Sequence, residues 1–297
     1  MADHFMKEDF NRSQDKDTLR EWRESAPYWE KHRDVIRRMF EPITQTLIEE
    51  AGIVAGQSVL DVAGGPGEPS LTISKLVGLS GSVVCTDGVA EMVTAAKSEA
   101  QRLGRKNMRF QQCTAESLPF ASNSFDTVIS RLGVMFFPDA LAALREMLRV
   151  IKPGGTISLA VWHKSEVNPY AHRVNEVIDR HLETPPVDAN ALGPFRFAER
   201  GKLAAILTEA KAIDVSERLL QFQMEAPISS EEFWIMRSEI SEILREKLKR
   251  LTPEQATRVA AEVRQAVCEF FPSGKMSFPA EVIIVTGSKP DDAGIES

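Results

Sequence analysis

The chain has 297 residues, 43% of them hydrophobic and 27% charged, which is enough apolar material for one large domain or two smaller ones. Its 43 acidic and 36 basic residues give a net charge of −7, which argues against a nucleic-acid partner because no basic excess exists to displace phosphate counterions. Cys85, Cys113 and Cys268 form neither a CxxC nor an even framework, no run of 18 apolar residues is present, and the polar start lacks an apolar leader core. The expectation is a cytoplasmic protein with reduced thiols, no membrane span and no metal site.

Residues 1–20 are polar and read as loosely packed. The intermittent stripe Trp22, Tyr28, Trp29, Ile36, Met39 and Phe40 predicts an N-terminal helical arm over 1–45, with Pro27 in a first helical turn, where a missing N–H costs little. The arm holds two of the four tryptophans and one of the two tyrosines. Its rings either pack on the main domain or act as a flap that closes a ligand site.

Strand and helix then alternate. Strands are predicted at Ser58–Val62, Ser82–Thr86, Met108–Gln112, Phe125–Ser130 and Thr156–Val161, and helices at Ser70–Val77, Val89–Leu103 and Asp139–Val150, with Pro153-Gly154-Gly155 as a turn. Such alternation predicts an α/β fold with a parallel sheet covered on both faces and ligands at the strand C-terminal edge. Residues 164–201 look irregular, with Pro169, Pro185, Pro186 and Pro194. A helix at Arg200–Ala210, a strand at Val215–Met224, two helices opened by Ser229 with Glu232 and by Thr252-Pro253-Glu254-Gln255, and a last strand at Glu281–Thr286 follow. The expected organisation is an arm (1–45), a core (46–225 and 279–290), a helical cap inserted before the last strand (226–278) and a flexible tail (291–297).

Four features fall at predicted strand ends. The glycine turn Asp61-Val62-Ala63-Gly64-Gly65-Pro66-Gly67 follows the first strand and leads into a helix, the layout in which bare backbone and a helix N-terminus meet a small ligand. Asp87 ends the second strand about 20 residues later, where a carboxylate can accept both ribose hydroxyls. Thr114-Ala115-Glu116 follows the third strand and Arg131 the fourth. A dinucleotide site would want G-x-G-x-x-G, but Ser70 stands where the third glycine would fall and Pro66 interrupts the turn. That disfavours a nicotinamide-dependent oxidoreductase.

With these residues in view, the chain resembles the class I S-adenosylmethionine-dependent methyltransferases, especially the ubiquinone/menaquinone-biosynthesis C-methyltransferase-like group. The resemblance rests on Val59 to Glu68, Thr86-Asp87-Gly88 with Met92, Ala115 to Phe120, Ser124-Phe125-Asp126 and Arg149 to Gly155. It implies a doubly wound, seven-stranded, mostly parallel sheet with an antiparallel last strand, and S-adenosyl-L-methionine as cofactor. It implies that the Gly64–Gly67 backbone cradles the methionyl part with Asp61 near its ammonium group. Asp87 would hold the ribose, Met92 would pack on the adenine, Thr114 and Ala115 would meet its edge, and Arg131 would line the pocket. Ala63, Gly65, Ser70, Gly88 and Glu116 complete the expected cofactor set. Two positions depart from the family pattern: Ala63 replaces a glycine, and Thr114 stands where an acidic or amide residue often reads the adenine amino group.

The expected activity is methyl transfer to carbon or oxygen of a small apolar or aromatic metabolite, by a monomer or a homodimer. Aromatic faces favour a sulfonium, so Tyr28 and Trp29, with Phe137, are candidates at the acceptor. His163 directly follows the fifth strand and is the candidate general base, with His172 second. A cofactor-binding module without activity is the main alternative, left open by Ala63 and Thr114, and the oxidoreductase is the lesser one.

Overall fold

The computed structural model describes residues 18–182 and 191–291; the expectations placed on residues 1–17, on Pro185 and Pro186 and on the tail from 292 lie outside the described residues. Helix α1 covers 18–31, followed by α2 (Arg33–Met39) and α3 (Glu41–Glu50). The alternating core is β1 (Ser58–Val62), α4 (Ser70–Val77), β2 (Ser82–Asp87), α5 (Ala90–Arg102), β3 (Met108–Gln112), β4 (Phe125–Arg131), α6 (Ala140–Val150) and β5 (Ile151–Trp162). Next come α7 (Pro169–Asp179), α8 (Lys202–Glu209) and β6 (Ile213–Ala226), then α9 (Ser230–Ile240), α10 (Glu242–Lys249), α11 (Pro253–Ala266) and β7 (Met276–Ser288).

The seven strands form one sheet in the order β3-β2-β1-β4-β5-β7-β6. β1 to β5 are mutually parallel, and β7 runs antiparallel to both β5 and β6. The strand order reverses between β1 and β4, so the loops after these strands diverge and leave a crevice at their C-terminal ends. The central strands are near-continuously apolar because both faces are covered: Leu60, Val128, Ile129, Ile157 and Leu159 are fully buried. A second apolar cluster joins the arm to the cap, with Met39, Ile43, Tyr170, Phe233, Val259 and Phe278 at its centre.

Four expectations need correction. Pro27 lies inside α1 and not in its first turn. Pro153-Gly154-Gly155 is not a turn between elements but an irregularity within β5: the register jumps from Phe125↔Ile151 to Thr127↔Thr156. A Cβ on Gly155 would lie 2.6 Å from the Asp126 carbonyl oxygen, so only glycine lets the strands come this close. The stretch read as irregular contains α7, where Pro169 is a first-turn proline and Tyr170, Val174, Val177 and Ile178 form one buried stripe. Finally, β6 and β7 are longer than the expected strands 215–224 and 281–286, and residues 227–275 lie between them. Pro279 is tolerated in β7 because it lies opposite Gln223, beyond the part of β7 that pairs with β5.

The cap helices begin as expected. Ser229 and Glu232 exchange side-chain-to-backbone hydrogen bonds, and so do Thr252 and Gln255.

Candidate active site

The loops at the C-terminal ends of β1 to β4 wall a cavity roofed by α1 and α2. Of the expected cofactor residues, Ala63, Gly64, Gly65, Asp87, Gly88, Met92, Thr114, Ala115, Glu116 and Arg131 line it. Asp61, Gly67 and Ser70 stand behind the lining and shape it. Asp61 is fully buried, and its Oδ2 accepts hydrogen bonds from Ser70 Oγ at 2.6 Å and Ser70 N at 3.2 Å. This ties the end of β1 to the start of α4 and draws the intervening loop tight. A Cβ on Gly64 would lie 2.7 Å from Cys85 Sγ and 2.8 Å from Asp61 Oδ2, and Gly67 (φ +116°) is pressed against Leu71 and Ala96. Ala63 holds φ +59° despite its Cβ, and its methyl fills the space that a Cβ on Gly133 would need. The departure at Ala63 is therefore matched by a glycine on the facing loop.

Asp87 carries the loop from the other side. Its Oδ2 accepts from Gly65 N at 3.0 Å and its Oδ1 from Val89 N at 2.9 Å, so both carboxylate oxygens are oriented by backbone. Arg131 is clamped by donating to Thr44 Oγ1 at 2.8 Å and to the Glu68 carbonyl at 2.9 Å, with its guanidinium 5.5 Å from the centre of the Phe40 ring. Thr44 is marked by no motif, and its part in the site is legible only once α3 is seen to meet Arg131.

Burial raises Asp61 to about 6, against the opposing pull of the Ser70 hydrogen bonds and the Arg131 charge. Burial likewise raises Asp87 to about 6, against its two backbone amides. A carboxyl whose folded value lies above its unfolded 3.8 binds more protons folded than unfolded between about pH 4 and pH 6. Its contribution to stability is therefore greatest at the acid end of that window and falls as pH rises through it. For Asp61 the loss is about 3 kcal/mol. Asp61→Asn keeps an acceptor for Ser70 and removes the charge. Its stability relative to the parent should therefore rise by up to about 3 kcal/mol between pH 4 and pH 7, measured by urea unfolding across that range.

The roof is aromatic. Trp22 packs on Trp29 (ring centres 5.5 Å apart) and edge-on to Phe136 (5.0 Å), while Leu19 closes over Gly88. Beyond these rings lies a second cavity between the arm, α7 and the cap; Thr18, Trp22, Trp29, Phe40, Leu132 and Phe136 line both. Arm and cap are clasped at its edge. Trp29 Nε1 donates to the Ile240 carbonyl at 3.2 Å, Glu239 binds Lys31 Nζ at 2.7 Å and His32 Nε2 at 2.6 Å, and Arg245 reaches Ser25 Oγ at 2.8 Å.

The candidates for acceptor binding and catalysis scatter. Trp29 lines both cavities. Phe137 lines the first and not the second. Tyr28 sits under the Arg245 guanidinium, 5.3 Å from it, and lines neither cavity. His163 also lines neither. Its Nδ1 is 2.8 Å from Glu281 Oε2, and Asn168 staples its carbonyl to that of Glu281, which makes it a fastening between β5 and β7. His172 borders a shallow depression with Glu166, Arg173 and Phe270, away from both. Trp22 lines both cavities, as the flap reading of the arm's rings expected, whereas Phe136, Tyr170 and Arg237 are lining residues that no sequence pattern singled out for a site. Among the described residues no helix is long and apolar enough to cross a membrane, and no group of three or more His, Cys, Asp or Glu side chains is placed to hold a metal.

The region that builds the first cavity also carries the sequence likeness. Residues 35–177 match the ubiE/COQ5 methyltransferase family. An uncharacterised protein of Mycobacterium tuberculosis is 42% identical over 121 residues, 41% of this chain and 43% of its own length. The ubiquinone/menaquinone biosynthesis C-methyltransferase UbiE of Hahella chejuensis is 39% identical over 143 residues, 48% of this chain and 56% of its own. The chain thus spans about half the length of the curated relatives it matches. The YcgJ protein of Bacillus subtilis superposes with a TM-score of 0.53 at 24% identity, over 84% of this chain and 98% of its own, and shares the fold. The cap, with α9 to α11, lies outside the matched residues.

Proposed function

We propose that this chain transfers a methyl group from S-adenosyl-L-methionine to a small apolar or aromatic acceptor and releases S-adenosyl-L-homocysteine. The observation that carries this reading is the pairing of Asp87 with the glycine loop. A carboxylate held by two backbone amides faces a turn in which Gly64 has no room for a Cβ, so a ribose and an extended amino-acid chain both find backbone-close seats. Asp61 Oδ1 is buried without a hydrogen-bond partner among the described residues, which leaves an acceptor for a ligand ammonium. Met92 and Phe137 offer apolar faces for an adenine, and Thr114 to Glu116 its edge. When bound, the cofactor supplies an electrophilic methyl on a sulfonium, so the protein has chiefly to align the acceptor and exclude water.

The shared wall does both. Trp22, Trp29 and Phe136 stand between the cavities, exclude water from the line of transfer and present ring faces to a cationic centre. The mostly apolar second cavity, closed by arm and cap, takes the acceptor.

The test is to incubate the full chain with S-adenosyl-L-methionine and a panel of apolar aromatic acceptors and follow S-adenosyl-L-homocysteine by mass spectrometry, with calorimetry for cofactor binding. Binding with turnover of at least one acceptor is expected. Failure to bind either adenosyl compound, with tight binding of reduced nicotinamide dinucleotide instead, overturns the reading.

A further inference from the structure

The second cavity contains two polar groups that the protein leaves unsatisfied. Tyr170, on α7, is only 5% exposed, and its Oη is buried with no hydrogen-bond partner among the described residues. Arg237, on α9, places its guanidinium 4.5 Å from the centre of the same ring, and its Nε is also buried without a partner. Both residues line the cavity. The ring is fixed edge-on against Phe233 at 5.6 Å and Phe278 at 5.9 Å, so its hydroxyl cannot swing away to water.

A buried hydroxyl or guanidinium nitrogen with no acceptor is destabilising, and native structures keep few of them. Here two such donors, from different helices, meet in a cavity whose other walls are largely apolar. Burial pushes the Tyr170 hydroxyl above its ordinary value, against the opposing pull of the Arg237 guanidinium beside its oxygen, so its proton stays on and is free to be donated. A guanidinium beside a phenolic O–H is suited to an oxygen anion, which accepts from both. Glu21 and Glu242 also line the cavity and repel such an anion, which orients the ligand with its charged end toward Arg237.

We infer that this cavity selects a molecule with an apolar body and one anionic oxygen, a carboxylate or an acidic phenolate or enolate, bound by Arg237 and Tyr170. That this molecule is the methyl acceptor rests on the function proposed above; the binding itself does not.

Trp22, Trp29 and Trp162, three of the four tryptophans, line the cavity, so intrinsic fluorescence reports its occupancy. The full chain, saturated with S-adenosyl-L-homocysteine, is titrated near neutral pH with 2-naphthoate, with pentafluorophenolate and with the neutral methyl ester of 2-naphthoate. At least one anion should bind about tenfold more tightly than the ester, and the tighter of the two identifies the kind of oxygen anion preferred. Arg237→Gln should weaken that anion about tenfold and leave the ester unchanged, Arg237→Lys should recover part of the loss, and Tyr170→Phe should weaken it about threefold. The inference is overturned if the ester binds as well as both anions, if neither anion binds, or if the Arg237→Lys and Tyr170→Phe proteins both bind the anion like the parent. Calorimetric titration of S-adenosyl-L-homocysteine into the same samples reports the first cavity. Intact cofactor binding without anion preference removes this inference alone, and loss of cofactor binding in the parent removes the methyltransferase reading.

Discussion

Replacing Asp87 by Ala should weaken binding of S-adenosyl-L-homocysteine by tenfold or more while leaving the chain folded. Two losses combine. The carboxylate is the polar group at the end of β2 that can accept both ribose hydroxyls, and it also holds the Gly65 and Val89 amides, so its removal frees both walls of the cavity. Asp87→Asn is not conservative here. Its two terminal atoms face two N–H donors, and an amide can accept from only one of them. Asn should therefore fall close to Ala. Isothermal titration calorimetry gives the affinity and far-UV circular dichroism the integrity of the fold. Unchanged affinity in Asp87→Ala would show that the ribose is held elsewhere.

Phe278→Ala should destabilise the chain by about 3–5 kcal/mol, the range for deleting a buried aromatic ring. Phe278 is fully buried on β7 and touches four other rings: Phe270 and Phe233 stacked at 4.6 and 5.1 Å, and Phe271 and Tyr170 edge-on at 5.8 and 5.9 Å. These rings come from the sheet, from α7 and from both ends of the cap, so the cavity left behind would be lined from every side and could not close by one small shift. Urea unfolding followed by circular dichroism measures the loss as a lower midpoint at unchanged slope. A cost below about 1 kcal/mol would mean that the cap does not share a core with the sheet. The same substitution removes one of the two ring edges that fix Tyr170, so discrimination between anion and ester in the second cavity should also decline.

Residue by residue, the sequence was most legible where local chemistry decides structure. The β1 turn, Asp87 and the segments after β3 and β4 occupy the places that their spacing along the alternating strands implied, because parallel crossovers force successive strand ends onto one rim. Legibility failed where a proline or glycine was read without its neighbours. Pro169 marked a break but begins α7, and Pro153-Gly154-Gly155 marked a turn but is accommodated inside β5. Partners far apart in the chain were also invisible. Arg131 meets Thr44 across 87 positions, His163 meets Glu281 across 118, and Arg237 meets Tyr170 only because α9 folds back over α7. His163 shows the consequence: its place after β5 suggested chemistry, whereas its carboxylate partner on β7 makes it a strand fastening.

The way the cap is attached has one more consequence. Ala226 and Met276 face each other as the last rung of the β6–β7 ladder, so the helices between them leave and rejoin the molecule at a single point. A two-residue hairpin could bridge that rung with every other rung intact. Covalent attachment at one rung is not independence, however: the cap's buried face interlocks with β7, α7 and the arm, so a replacement lid spliced there would have to bring the same apolar face with it.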